Sequence, residues 1–237
     1  MIIYPAVDVR DGKCVRLTQG EFNKETVYAD NPVEMALRWA ELGAEYLHVV
    51  DLDGARTGKG QNLDVISEMA AKIGIPVQLG GGIRTIKMIE SVLGKGIKRV
   101  ILGTSAVKDP ELVKCAIKNF EDNVVIGIDA KDGMVAIEGW EKTSEFKAVD
   151  FAKKMESLGA KTIIYTDIAR DGMLNGPNLK AMEEMVKAVN IDVIASGGVG
   201  KIEDIKNLKQ VGVSGAIVGR ALYTGDVDLR QAIEIGR

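Results

Sequence analysis

Residues 76–107 read PVQLGGGIRTIKMIESVLGKGIKRVILGTSAV, and residues 192–223 read DVIASGGVGKIEDIKNLKQVGVSGAIVGRALY. The two stretches lie 116 positions apart and align without a gap. Carried back to Gly43-Ala44 over Gly159-Ala160, the alignment holds 17 identities in 65 positions, where average composition would give roughly four. Asp51 falls on Asp167, Asn62-Leu63 on Asn178-Leu179, Gly81-Gly82 on Gly197-Gly198, and Gly103 on Gly219. A period this long is no solenoid repeat. It reads as a half-domain present twice, with halves at about 1–120 and 121–237.

Eight short apolar, β-branched runs recur along the chain: 2–7, 46–50, 76–79, 99–102, 124–128, 162–166, 192–195 and 215–218. Between them lie amphipathic segments with apolar spacing near 3.6, such as 32–42, 110–118, 149–158, 179–188 and 227–235. Pro32 and Pro110 sit just inside their helices. Strand and helix alternating eight times predict one α/β domain, residues 1–237, folded as a (β/α)8 TIM barrel from two equal halves. An open doubly wound sheet is the alternative; the twofold repeat favours closure. In such a barrel, residues just past the strands are the site candidates.

The bulk numbers narrow the function. The chain has 237 residues, 46% hydrophobic and 27% charged, with a net charge of -3. That balance offers no basic field for nucleic acid. No apolar run approaches the roughly 20 residues of a membrane span, and Asp8, Arg10 and Asp11 interrupt the apolar start too early for a signal peptide. A cytoplasmic enzyme is expected. Cys14 and Cys115 form no metal-ligand spacing, and no metal or cofactor is expected.

Two pairs of glycine turns point to phosphate. Gly80-Gly81-Gly82-Ile83-Arg84 and Gly103-Thr104 follow the third and fourth strands; Ser196-Gly197-Gly198 and Gly219-Arg220 follow the seventh and eighth. Glycine lets backbone N–H groups approach an anion closely. One such pair makes an ordinary tight turn, but paired turns on adjacent strands, present twice, predict a small ligand with a phosphate at each end. Gly172 is added to these phosphate candidates. No Walker-type lysine follows any of the turns, so nucleotide hydrolysis is not expected. The halves also differ: Arg84 aligns with Gly200, and Thr104 with Arg220.

The first and fifth strands end alike, in Val7-Asp8-Val9-Arg10-Asp11-Gly12 and Ile128-Asp129-Ala130-Lys131-Asp132-Gly133, here at an offset of 121. These strands lie opposite in an eight-strand barrel, so Asp8 and Asp129 should face each other between the two phosphate sites. Two such carboxylates suffice for general acid–base work. Asp11 and Asp132, each before glycine, read as turn residues. Arg16, Asp51, Arg84, Trp140, Thr166 and Asp171 are candidate substrate contacts. Asp51 and its mate Asp167 fit a polar barrel layer equally well, and Trp140 fits ordinary packing as well as stacking on a flat heterocycle. His48, the only histidine, alternates with Leu47 and Val49 and is expected to face the helices.

Several motifs together resemble the histidine-biosynthesis isomerase family that opens the ribose of ProFAR, a ribotide with two phosphates. They are Pro5-Ala6-Val7-Asp8, the run His48 to Ala55, Gly80-Gly81-Gly82-Ile83-Arg84, Gly139-Trp140, Thr166 to Gly172, and Ser196-Gly197-Gly198. The resemblance covers essentially the whole chain. It implies a cofactor-free Amadori rearrangement of aminoaldose to aminoketose, with Asp129 as acid and Asp8 as base. Asp171 matches a position used as the acid in some relatives. It also implies that Trp140 stacks on the imidazole carboxamide, and that loops around Gly20 and Trp140 close over the site. A monomer without an obligate protein partner is expected. Three rivals stay open: the cyclase subunit of imidazole glycerol phosphate synthase, an isomerase also acting on phosphoribosylanthranilate, and a non-catalytic phospholigand-binding barrel. The His48–Ala55 run and the Gly139-Trp140 loop resemble the isomerase rather than the cyclase.

Overall fold

A computed structural model describes residues 1–18 and 20–237. Among the described residues twelve strands form: β1 (Ile2–Arg10), β2 (Lys13–Thr18), β3 (Glu21–Ala29), β4 (Leu47–Asp51), β5 (Val77–Gly80), β6 (Arg99–Leu102), β7 (Val124–Lys131), β8 (Met134–Ile137), β9 (Lys142–Lys147), β10 (Thr162–Asp167), β11 (Asp192–Ser196) and β12 (Gly215–Val218). Eight pair in parallel as β1-β4-β5-β6-β7-β10-β11-β12, and β12 returns to β1. The closed ring with helices around it is the (β/α)8 barrel expected from the alternation.

The barrel strands are β-branched on both faces because both are buried. Outward residues such as Val7, Leu47, Val49 and Ile163 pack under the helices and are buried. Each such side chain contributes about 1.5–3 kcal/mol when fully removed from water. Asn31 and Asp109 cap the helices that begin with Pro32 and Pro110, accepting from the N–H groups of Val33 and Leu112. A cap of this kind is worth about 1 kcal/mol.

The inward face is sparser. Tyr4, Ala6, Tyr46, Val125, Ile164, Ile194 and Ile217 form a separate small cluster inside the ring. At its lower end the rings of Tyr4 and Tyr46 lie 5.3 Å apart, and the Arg99 guanidinium sits 5.2 Å from the Tyr46 ring centre. These three side chains shut the N-terminal end of the barrel.

Two antiparallel hairpins were not expected as such. β2 and β3 extend from β1, and β8 and β9 extend from β7. Only 134–137 had a strand signature. The 21–29 and 142–147 stretches carry so many charges that period-two alternation is hard to see.

The 116-residue offset recurs in the geometry. Gly103 has φ −101 and ψ −102, and Gly219 has φ −103 and ψ −106. Asn62 Nδ2 donates to Asp51 at 2.7 Å, and Asn178 Nδ2 donates to Asp167 at 2.7 Å.

Candidate active site

A cleft opens at the C-terminal ends of the strands, and strand parity decides what enters it. On β1 the side chains of Tyr4, Ala6 and Asp8 point inward while Val7 and Val9 point to the helices. Asp8 therefore enters the cleft at the level of Val50 on β4. On β7, Asp129 enters from the opposite side of the ring. Thr166 of β10 is its register partner and lines the cleft beside it. Trp140 lines the cleft with them, and its indole N–H favours the charged form of the same carboxylate.

Arg16 returns from β2 and binds Asp8 through Nη1 to Oδ2 at 2.9 Å. Burial nonetheless pushes the Asp8 carboxyl above its ordinary value, with Arg16 pulling it back. Burial also raises Asp129, with the polar groups of Trp140 and Thr166 pulling it back. Asp171, in the turn after β10, is pushed up to about 6 by burial; Arg16 opposes this, and the charges of Asp8 and Asp129 add to it. Three carboxylates and one guanidinium thus share one poorly hydrated field. A carboxyl near 6 can hold and release a proton close to neutral pH.

Two glycine-rich ends flank these acids. Gly81 and Gly197 have φ of 108 and 95, which favours glycine. A Cβ on Gly81 would strike the Asp51 carbonyl, and one on Gly197 would lie 2.7 Å from the Asp167 carbonyl. Gly81, Gly82, Gly103, Gly197, Gly198 and Gly219 all line the cleft. The first end adds the exposed guanidinium of Arg84, whose Nη2 donates to Ala55 O at 3.3 Å, and the hydroxyl of Thr104, which accepts from Glu138 N at 2.9 Å. At the second end Arg220 Nη1 donates to Gly172 O at 2.8 Å, so Gly172 orients that arginine through its carbonyl.

Trp140 sits at the tip of the β8–β9 hairpin with φ 72, between Gly139 at φ 66 and the hairpin's second strand. Its ring packs on the backbone of Gly20, in the β2–β3 turn, where a Cβ would collide with it. The two loops named at the sequence level therefore meet over the mouth; Gln19 of the first lies outside the described residues.

Two expectations are corrected. Asp51 does not line the cleft. Its parity on β4 points outward, and its carboxylate accepts from Gly54 N at 2.9 Å, Asn62 N at 3.2 Å and Asn62 Nδ2 at 2.7 Å. It caps the helix Leu52–Thr57 and ties down the following loop. His48 has the opposite parity: Leu47 and Val49 face the helices, and His48 enters the cleft floor. Ser105 and Glu138 also line the cleft and were not singled out. Glu138 is held by Lys108 at 2.5 Å and Lys142 at 2.8 Å.

A family model described as histidine biosynthesis protein matches residues 2–228. The chain belongs to this family. Among curated relatives, a protein of Acetivibrio thermocellus is 78% identical over 237 residues, covering 100% of both chains. One of Thermoanaerobacter pseudethanolicus is also 78% identical over 237 residues, again with 100% of both covered. One of Ruminiclostridium cellulolyticum is 61% identical over 233 residues, covering 98% of this chain and 99% of its own. All three family members are named 1-(5-phosphoribosyl)-5-((5-phosphoribosylamino)methylideneamino)imidazole-4-carboxamide isomerase.

Proposed function

We propose that this chain is the same isomerase, converting the phosphoribosylamino end of that substrate to its phosphoribulosylamino ketose in histidine biosynthesis. The observation that carries the mechanism is the placement of Asp8 and Asp129 on opposite strands of one cleft, between two matching sets of glycine turns. Full-length identity to relatives of that name supports the substrate. Its two phosphoribosyl groups suit a cleft with an anion-type turn at each end.

In this mechanism the turns and Arg84 hold one phosphate, and the turns with Arg220 hold the other. Asp129 gives a proton to the ribose ring oxygen, the C1–O bond breaks, and the nitrogen lone pair forms a protonated Schiff base. Asp8 then takes the proton from C2, giving an enolamine whose tautomerisation yields the C2 ketone. Each positioned proton transfer contributes about a hundred- to ten-thousandfold. Burial suits both roles, because it strengthens Asp8 as a base and keeps a proton near Asp129 and Asp171. A second assignment of the acid, to Asp171, is favoured by its value of about 6. These steps use only the chain's own carboxylates.

The enzyme is proposed to act as a cytoplasmic monomer. Its halves, about 1–120 and 121–237, are proposed to derive from one duplicated half-barrel, supported by the equivalent Asn62–Asp51 and Asn178–Asp167 bonds. Among the described residues, no helix is long and apolar enough to cross a membrane.

A spectrophotometric assay of the purified chain with this substrate, with and without ammonia, tests the function. Ammonia-independent formation of the ketose is expected. No turnover of this substrate, with ammonia-dependent consumption of its ketose isomer, would replace the isomerase with the cyclase, and binding without turnover of either would leave a ligand-binding barrel.

A further inference from the structure

Gln78 lies on β5 beside His48 of β4, wholly inside the barrel at 0% exposure. Its amide nitrogen is 3.0 Å from His48 Nδ1. Its amide oxygen is buried and meets no hydrogen-bond donor among the described residues. An apolar side chain of the same shape would fill this place without an orphaned carbonyl, so packing alone gives no reason for a glutamine.

His48 supplies the reason. An amide nitrogen only donates, so Nδ1 of His48 accepts, and the single proton of the neutral ring sits on Nε2. The ion pair of Arg16 from β2 with Asp8 from β1 lines the same cleft as His48, as do Asp129 and Asp171. On β6, beyond Gln78, Arg99 turns down onto the Tyr46 ring. Burial, aided by the Arg16 charge, drives the His48 ring down to about 3, so it stays neutral where the enzyme works. A second cation beside Asp8 would lower the basicity of that carboxylate; a neutral donor does not.

We infer that Gln78 is a positioning residue of this site: its amide fixes the neutral Nε2–H tautomer of His48, which presents one hydrogen-bond donor of fixed direction to an acceptor oxygen of the bound sugar phosphate. The ligand in this statement rests on the isomerase mechanism above; the tautomer does not.

Because His48 is the only histidine, nitrogen-15 labelling of histidine in the full chain yields a single imidazole. NMR should show the neutral Nε2–H form, with no titration near the ordinary value of about 6.5. In Gln78→Met the ring should populate both tautomers and the melting temperature should not fall. Its kcat should drop about ten- to a hundredfold, the usual scale for losing the outer partner of a functional histidine, with KM changing less. In Gln78→Glu the carboxylate should draw a proton onto Nδ1, raise the ring's pKa, and add a new limb to the pH profile of kcat. A wild-type ring in the Nδ1–H form overturns the inference. So does Gln78→Met with wild-type kcat, or with reduced kcat and an unchanged Nε2–H tautomer. If Gln78→Met does not fold, the wild-type spectrum and Gln78→Glu decide. A wild-type chain that fails to isomerise the substrate refutes the proposed function while the spectra still report the tautomer.

Discussion

Arg16 meets Asp8 at 2.9 Å from the neighbouring hairpin strand, with side chains only 10% and 12% exposed. The base of the proposed mechanism therefore carries its own counter-charge in a dry setting. Arg16 Nε is itself buried without a partner among the described residues, so the guanidinium depends heavily on this carboxylate. Removing one partner of such a pair leaves an uncompensated charge.

Asp8→Asn should accordingly lose both function and stability. Turnover is expected to fall by about a hundred- to ten-thousandfold, and unfolding free energy by about 3 kcal/mol. Adding Arg16→Met should restore much of the stability but none of the turnover. Steady-state kinetics and urea unfolding read the two effects separately, and an Asp8→Asn enzyme with wild-type kcat would remove Asp8 from the chemistry.

Asp171 gives a pH signature in stability. Its folded value is about 6 against 3.8 unfolded, so between these values the native state binds more protons than the unfolded one. Its contribution therefore weakens the fold as pH rises from about 4 to 6, and the penalty persists above 6. Asp171→Asn should raise the melting temperature at pH 7, with the gain shrinking toward pH 4. Equal effects at both pH values would show that the carboxyl is not strained by burial. If Asp129 is the principal acid, Asp171→Asn should also retain more turnover than Asp129→Asn.

Trp140→Phe keeps an aromatic ring but deletes the N–H that stabilises ionised Asp129. The Asp129 pKa should rise further. An acid must be protonated to act, so the alkaline limb of kcat/KM should move to higher pH. A limb that stays in place, or moves down, contradicts the assignment of Asp129 as acid.

Arg84 is the exposed cation at one end of the cleft. Arg84→Ala should raise KM about ten- to a hundredfold, the range for a hydrogen bond to a charged group, while leaving kcat largely intact. Direct titration with inorganic phosphate should show the same weakening.

Asp51→Ala separates a structural aspartate from a substrate contact. Its carboxylate satisfies three donors behind the sheet, so about 3 kcal/mol of stability should go. At a temperature where the variant remains folded, kcat/KM should stay near wild type. A large selective loss in KM would return Asp51 to the substrate.

The barrel was readable because its strands, buried on both faces, are short β-branched runs that the helical segments keep apart. The paired turns were readable because glycine is needed where Gly81 and Gly197 approach a neighbouring carbonyl. The misplacements of His48 and Asp51 have one physical origin. Position just past a strand drew Asp51 to the mouth, and neighbouring apolar residues drew His48 to the helices. The alternation along β4 governs both: His48 and Val50 share the inward parity of Asp8, whereas Leu47, Val49 and Asp51 do not. Setting the parity of β4 from Asp8 would have found the histidine. Gln78 gave no such sign, since its meaning depends on a ring contributed by another strand.

The Tyr4–Tyr46 pair with Arg99 over it gives the tube one open end. Ketose must leave by the same doorway through which aldose arrived, past the tryptophan resting on Gly20. Product and substrate therefore compete for a single passage, and the frequency with which that passage clears sets a ceiling on turnover however fast the protons move.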